Sequence, residues 1–164
     1  CSFEEITLIR QSISPLRLLT RAAPLALLLL ASANLYAEQP IEVTLTGSTV
    51  VPPVTTVGTG TGQFTITPDH KIIGSVRVFD MKPAMAHIHE AAPGKNGPPI
   101  ITLGKTAEDS YAVPPDAVLS NEQYASYLAG NLYVQVHSAK YPNGELRGQL
   151  LSTNVENKSK RHAR

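Results

Sequence analysis

Asn131-Leu132-Tyr133-Val134-Gln135-Val136-His137 is the stretch that decides the fold. Its apolar side chains, Leu132, Val134 and Val136, recur every second residue, the period of a β-strand with one face on a core, and Tyr133, Gln135 and His137 take the other face. The same period governs Ala86-His87-Ile88-His89, where Ile88 goes inward and both histidines go outward. Three imidazoles therefore project from the polar side of two strands, and they converge if the strands are neighbours.

Period two extends over most of the chain from Ile41. Val43 and Leu45 alternate with Thr44 and Thr46, Phe64 and Ile66 with Gln63, Thr65 and Thr67, and Ile72, Val76 and Val78 with Ser75 and Arg77. Glycine and proline punctuate these runs at Val51-Pro52-Pro53, Gly58 to Gly62, Pro68-Asp69, Pro93 to Pro99 and Pro142-Asn143-Gly144. Short strands at such regular spacing predict an all-β, antiparallel sandwich or barrel. One segment departs from it. Ser120 as N-cap, Gln123 as its capping-box partner and Gly130 as a stop predict a short helix near 120–129.

The ends read differently. Arg17 and Arg21 precede an apolar run from Ala22 to Ala33, and small residues follow before Glu38. This is the order of a secretory signal peptide over 1–37, with cleavage expected after Ala37 and Ala33 as the second choice. The run is shorter than the roughly 20 residues needed to span a bilayer, so no stable membrane anchor is expected after cleavage. The expected localisation is export, to a periplasm or outside the cell. The single cysteine, Cys1, falls in this segment, which leaves the body without disulfide or thiolate chemistry. A domain is expected over 38–152, followed by a basic, disordered tail over 153–164.

Charge excludes one class of partner. The 164 residues carry 14 basic and 13 acidic side chains. Four of the cations, Lys158, Lys160, Arg161 and Arg164, belong to the tail, and residues 38–154 hold seven basic against ten acidic groups, a net of −3. A nucleic-acid partner is not expected of such a body. No Ser/His/Asp triad or phosphate-binding loop is present, and Gly58 to Gly62 lacks the lysine of a P-loop.

The chemistry concentrates in the histidines. Of the five, His162 lies in the tail and His70 in a turn, leaving His87, His89 and His137. Three neutral nitrogen donors suit copper or zinc better than calcium or magnesium. Met81 and Met85 share the parity of His87 and His89, so in a continuous strand their thioethers would lie on the metal side and favour Cu(I). The alternative is that Pro83 breaks the strand before Met81 and that Met85 fills a gap. Arg147, opposite in facing to Leu146 and Leu150, is placed on the polar side, where it would either attract a small anion or pair with Glu145 or Glu90. Glu90, next to His89, is a candidate supporting carboxylate.

The runs Ala86 to Pro98, Leu128 to His137 and Asn143 to Leu150 strongly resemble the CHRD domain, named from chordin, over about Ile41 to Leu151. In chordin that domain belongs to an extracellular antagonist of bone morphogenetic proteins; it also occurs alone in exported microbial proteins, and this chain looks like that kind. A more distant resemblance is to Cu/Zn superoxide dismutases, carried by Gly62-Gln-Phe-Thr-Ile66, Ile73 to Arg77, His-Ile-His, Val136-His137 and the segment around Arg147. It implies a Greek-key sandwich with His87, His89 and His137 as ligands of one copper ion and Arg147 as the catalytic, superoxide-guiding residue. The loop from Glu90 to Gly130 has no histidine, so no zinc is expected. Met85 is added as a candidate metal residue. Such a site would alternate between Cu(II) and Cu(I), oxidising one superoxide to oxygen and reducing a second to peroxide. The rival expectations are a copper carrier or buffer that meets a copper donor or acceptor protein, and a metal-free extracellular interaction module.

Overall fold

A computed structural model describes residues 40–152; the expected signal peptide and basic tail lie outside them. Nine strands form two antiparallel sheets. The first is ordered β1 (Ile41–Leu45), β2 (Thr59–Ile66), β3 (Ile72–Phe79), β7 (Ser110–Ala112), β6 (Gly104–Ala107), and the second β5 (Pro99–Thr102), β4 (Pro83–Glu90), β8 (Leu132–Ser138), β9 (Leu146–Leu150). The pairs β3·β7 and β4·β8 join strands distant in sequence, so the chain crosses between sheets and does not simply meander.

The alternation explains the layers. Val43, Leu45, Phe64, Ile66, Ile72, Val76 and Val78 of the first sheet meet Ala86, Ile88, Leu132, Val134, Val136, Leu146 and Leu150 of the second in one core. Every one of these side chains is buried, which removes enough apolar surface from water to drive the two sheets together. At one edge β1 continues into β9: Thr46 N donates to Arg147 O and Arg147 N to Thr46 O, both at 3.1 Å. That isolated bridge, just past the end of β1, joins the edges of the two sheets at one point.

The helix α1 (Asn121–Leu128) has both capping-box bonds. Gln123 N donates to Ser120 Oγ at 3.2 Å and Ser120 N to Gln123 Oε1 at 2.8 Å. Gly130, at φ +77°, ends it, as the sequence predicts. Among the described residues no helix is long and apolar enough to cross a membrane.

One layer differs from the simple sandwich. All seven residues of β8 are buried, so its outward, polar face is covered as well as its inward one. The cover is the segment 91–98 and the turn 139–144, tied down by bonds such as Arg147 Nη1 to Lys95 O at 2.7 Å and His137 Nδ1 to Pro142 O at 2.9 Å.

Candidate metal centre

Strand register brings the histidines together. In the β4–β8 pair, Met85 stands opposite His137, His87 opposite Gln135 and His89 opposite Tyr133. The three imidazoles each offer a nitrogen, and these atoms all lie within 4.8 Å of one another. His89 and His137 are each 7% exposed, and His87 is half-buried. The sequence placed them on a polar face; the structure ties His89 to the 91–98 segment and His137 to the 139–144 turn, which shelters both rings and leaves His87 partly open to water.

Hydrogen bonds decide which nitrogens are free. His89 Nδ1 donates to Gly97 O at 3.0 Å and His137 Nδ1 to Pro142 O at 2.9 Å. Each of these rings therefore keeps its lone pair on Nε2. The Nε2 of His89 is buried and has no hydrogen-bond partner among the described residues. His137 Nε2 faces His87 Nδ1 at 3.2 Å. The candidate donor set is His87 Nδ1, His89 Nε2 and His137 Nε2, of which His87 Nδ1 carries the proton in its contact with His137 and must give it up to bind an ion. A buried nitrogen lone pair without a donor is the feature an added cation would satisfy, and backbone carbonyls that anchor the imidazoles from behind are the usual outer layer of a metal site.

Electrostatics agree. Burial pushes the His87 imidazole below the usual histidine range, and repulsion from His137 and His89 lowers it further. Burial likewise lowers His89, opposed by its bond to Gly97 O and reinforced by His137 and Arg147, and lowers His137 against its bond to Pro142 O. All three favour the neutral form that binds metals.

The other expected residues are placed less uniformly. Met85 is on β4 directly across from His137 and is 46% exposed, so it does not fill a core gap. Met81 precedes β4 and packs against the core, and a register shift between Pro83 and Met85 breaks the parity that would have aligned it with the histidines. Arg147 is 2% exposed. Its Nη1 donates to Lys95 O, its Nη2 to Ala92 O at 3.4 Å and Gln149 Oε1 at 3.1 Å, and its guanidinium carbon lies 3.5 Å from the Tyr133 ring centroid. Neither Glu145 nor Glu90 pairs with it: Glu145 accepts from Thr56 Oγ1 at 2.6 Å and Glu90 from Ser126 Oγ of α1. His70, in the β2–β3 turn at φ +70°, stacks on Tyr124 at 4.2 Å.

Sequence reasoning passed over Tyr133, Gln149 and Gly97. Tyr133 stacks on His89 with centroids 4.9 Å apart and planes at 12°, and its hydroxyl accepts from Gly97 N at 3.2 Å. Gln149 Nε2 donates to Ala91 O at 3.0 Å and Gly130 O at 2.8 Å. The available signal was parity: Tyr133, Gln149 and Arg147 all share the outward face with the histidines.

An antiparallel sandwich carrying three convergent histidines on one outer face is a protein with a candidate metal centre. The family model for the CHRD domain matches residues 41–150, and the chain belongs to the CHRD family. Comparison with curated proteins and with solved structures gave no match.

Proposed function

We propose that this chain is an exported CHRD protein that binds one copper ion through His87 Nδ1, His89 Nε2 and His137 Nε2, and that it carries or buffers copper for a donor or acceptor protein. The observation that supports this most is the donor set itself, with two rings locked by backbone carbonyls so that their lone pairs face inward. Copper is preferred over other imidazole-binding metals because Met85 brings a soft thioether to the strand position across from His137. Exchange with a partner is supported by the exposure of Met85 and the half-exposed His87, which form the accessible side of an otherwise buried cluster.

Copper at such a site supplies one-electron chemistry between Cu(II) and Cu(I). A second reading, superoxide dismutation, is favoured by the His-x-His pair with a late-strand histidine and by the positive charge of Arg147 close enough to lower His89. Against turnover stands the commitment of Arg147 to carbonyl acceptors beneath the surface.

The test is copper loading of the full chain beside a His87→Ala/His89→Ala/His137→Ala variant. One tightly held Cu(II) per chain with nitrogen hyperfine structure, lost in the variant, is the expected result. Equal and loose copper in both would leave a metal-free interaction module. Superoxide consumption by the loaded protein, at a rate above that of free copper, would favour the dismutase over the carrier.

A further inference from the structure

Behind His89 lies a network that reaches no ligand position itself. Tyr133, on the middle strand β8, stands between His89 of β4 and Arg147 of β9, stacked on the first and covered by the guanidinium of the second. Arg147 holds the carbonyls of Ala92 and Lys95, Gln149 holds that of Ala91, and the Tyr133 hydroxyl holds Gly97 N. Four anchor points thus fix the segment whose Gly97 carbonyl receives the Nδ1 proton of His89.

The consequence is chemical. A neutral imidazole carries one proton, and an unconstrained one holds it mainly on Nε2. In this protein Nε2 of His89 must be bare to serve the cluster, so the proton has to be kept on Nδ1 by an acceptor of fixed position. The bidentate reach of a guanidinium onto two carbonyls, with its face on an aromatic ring, is something a lysine cannot reproduce.

We propose that Arg147 is a positioning residue for His89: by clamping segment 91–98 it keeps Gly97 O in place, and thereby holds His89 in the Nδ1–H tautomer with its lone pair on Nε2. The effect on copper affinity rests on the metal reading above; the effect on the tautomer does not.

The test uses the full chain labelled with 15N at histidine, metal-free and at pH 8, as wild type, Arg147→Lys, Arg147→Met and Tyr133→Phe. Long-range 1H–15N correlation reads the His89 tautomer, and hydrogen exchange reads the amides of residues 95–97. In the wild type His89 is expected as Nδ1–H. In Arg147→Met it should shift mainly to Nε2–H, with exchange at 95–97 at least tenfold faster and copper affinity lower by about 10- to 100-fold. Arg147→Lys, which retains charge without the fork, should resemble Arg147→Met. If Arg147→Met does not fold, Arg147→Lys carries the test, with the same tautomer shift expected and retention of Nδ1–H overturning the proposal; Tyr133→Phe, which loses the hydroxyl's contacts with Gly97 N and Gly97 O but keeps the Arg147 clamp, is the control and should keep His89 mainly as Nδ1–H. A folded Arg147→Met that keeps His89 as Nδ1–H overturns the proposal. So does wild-type hydrogen exchange at 95–97 in that variant, which would mean that Arg147 does not hold the segment. Failure of the wild type to bind copper, with the tautomer shift present, would sink the copper reading and leave the positioning role standing.

Discussion

His87 Nδ1 lies 3.2 Å from His137 Nε2, while His137 Nδ1 is already donating to Pro142 O at 2.9 Å. Because His137 has its one proton on Nδ1, His87 must supply the proton in the contact between the two rings. When one ion takes both facing nitrogens, that proton has to leave His87 Nδ1 for Nε2. His87 is therefore the only one of the three histidines expected to change tautomer on loading. Cu(I) is diamagnetic, so 15N shifts before and after its addition check this directly: His87 should invert, while His89 and His137 keep Nδ1–H. Inversion at His137 would mean that the Pro142 anchor is not what fixes the donor set.

The depressed histidines also make stability depend on pH. Burial lowers all three below the usual 6.5, so as pH falls through about 6.5 the unfolded chain takes up protons that the folded chain refuses. Stability is then full above about pH 6.5 and declines below it, by up to about 1.4 kcal/mol per pH unit for each histidine that protonates only on unfolding. Urea unfolding of the metal-free protein between pH 8 and 5 should show this decline. A His87→Gln/His89→Gln/His137→Gln variant should show a flatter profile over the same range, and equal slopes would assign the decline to other groups.

Gly97 offers a structural lever on the same site. A Cβ there would lie 1.8 Å from Glu90 O and 2.7 Å from Glu90 C, both backbone atoms that cannot rotate away. Gly97→Ala must shift the segment and pull its carbonyl from His89, at a cost of roughly 2–3 kcal/mol and a fall in copper affinity. Gly94→Ala in the same segment is the control. Gly94 has φ +73° with nothing within 4 Å of a Cβ, so it should cost only about 1 kcal/mol of left-handed strain and leave copper binding unchanged. Thermal unfolding and copper titration of both variants separate the two effects.

What could be read in the sequence follows from what is local. Alternation at 132–136 and 86–89 gave the inward and outward faces, and Ser120, Gln123 and Gly130 marked the helix ends because caps act within one turn. The short strands β5 to β7 between Pro99 and Ala112 escaped notice, since β6 is exposed along its whole length and so has no alternation to show. The cover over the histidines was equally out of reach. It depends on Arg147 and Gln149 meeting carbonyls more than 50 residues away, and a backbone carbonyl leaves no mark on composition. For Met81 the sequence leaves two readings, and the structure agrees with the break at Pro83: β4 begins there and the register shift that follows resets parity, a bulge set by the pairing partner.

On the proposed copper reading, Met85 is the residue that would set a preference for one oxidation state. Its position across from His137 with 46% exposure lets it approach an ion from the open side, whereas burial would have made it simply part of the core. Met85→Leu keeps volume and shape class, so at a half-exposed position stability should change by no more than about 0.5 kcal/mol. A thioether ligand stabilises Cu(I) over Cu(II). Its loss should weaken Cu(I) binding about tenfold with little change for Cu(II), which lowers the one-electron potential of the bound ion by about 59 mV. Competition with a Cu(I) chelator and a separate Cu(II) titration measure the two affinities independently. Equal, unchanged values for both ions would remove Met85 from the ligand set and leave the three histidines as a site of borderline softness, in which zinc competes with copper on nearly even chemistry.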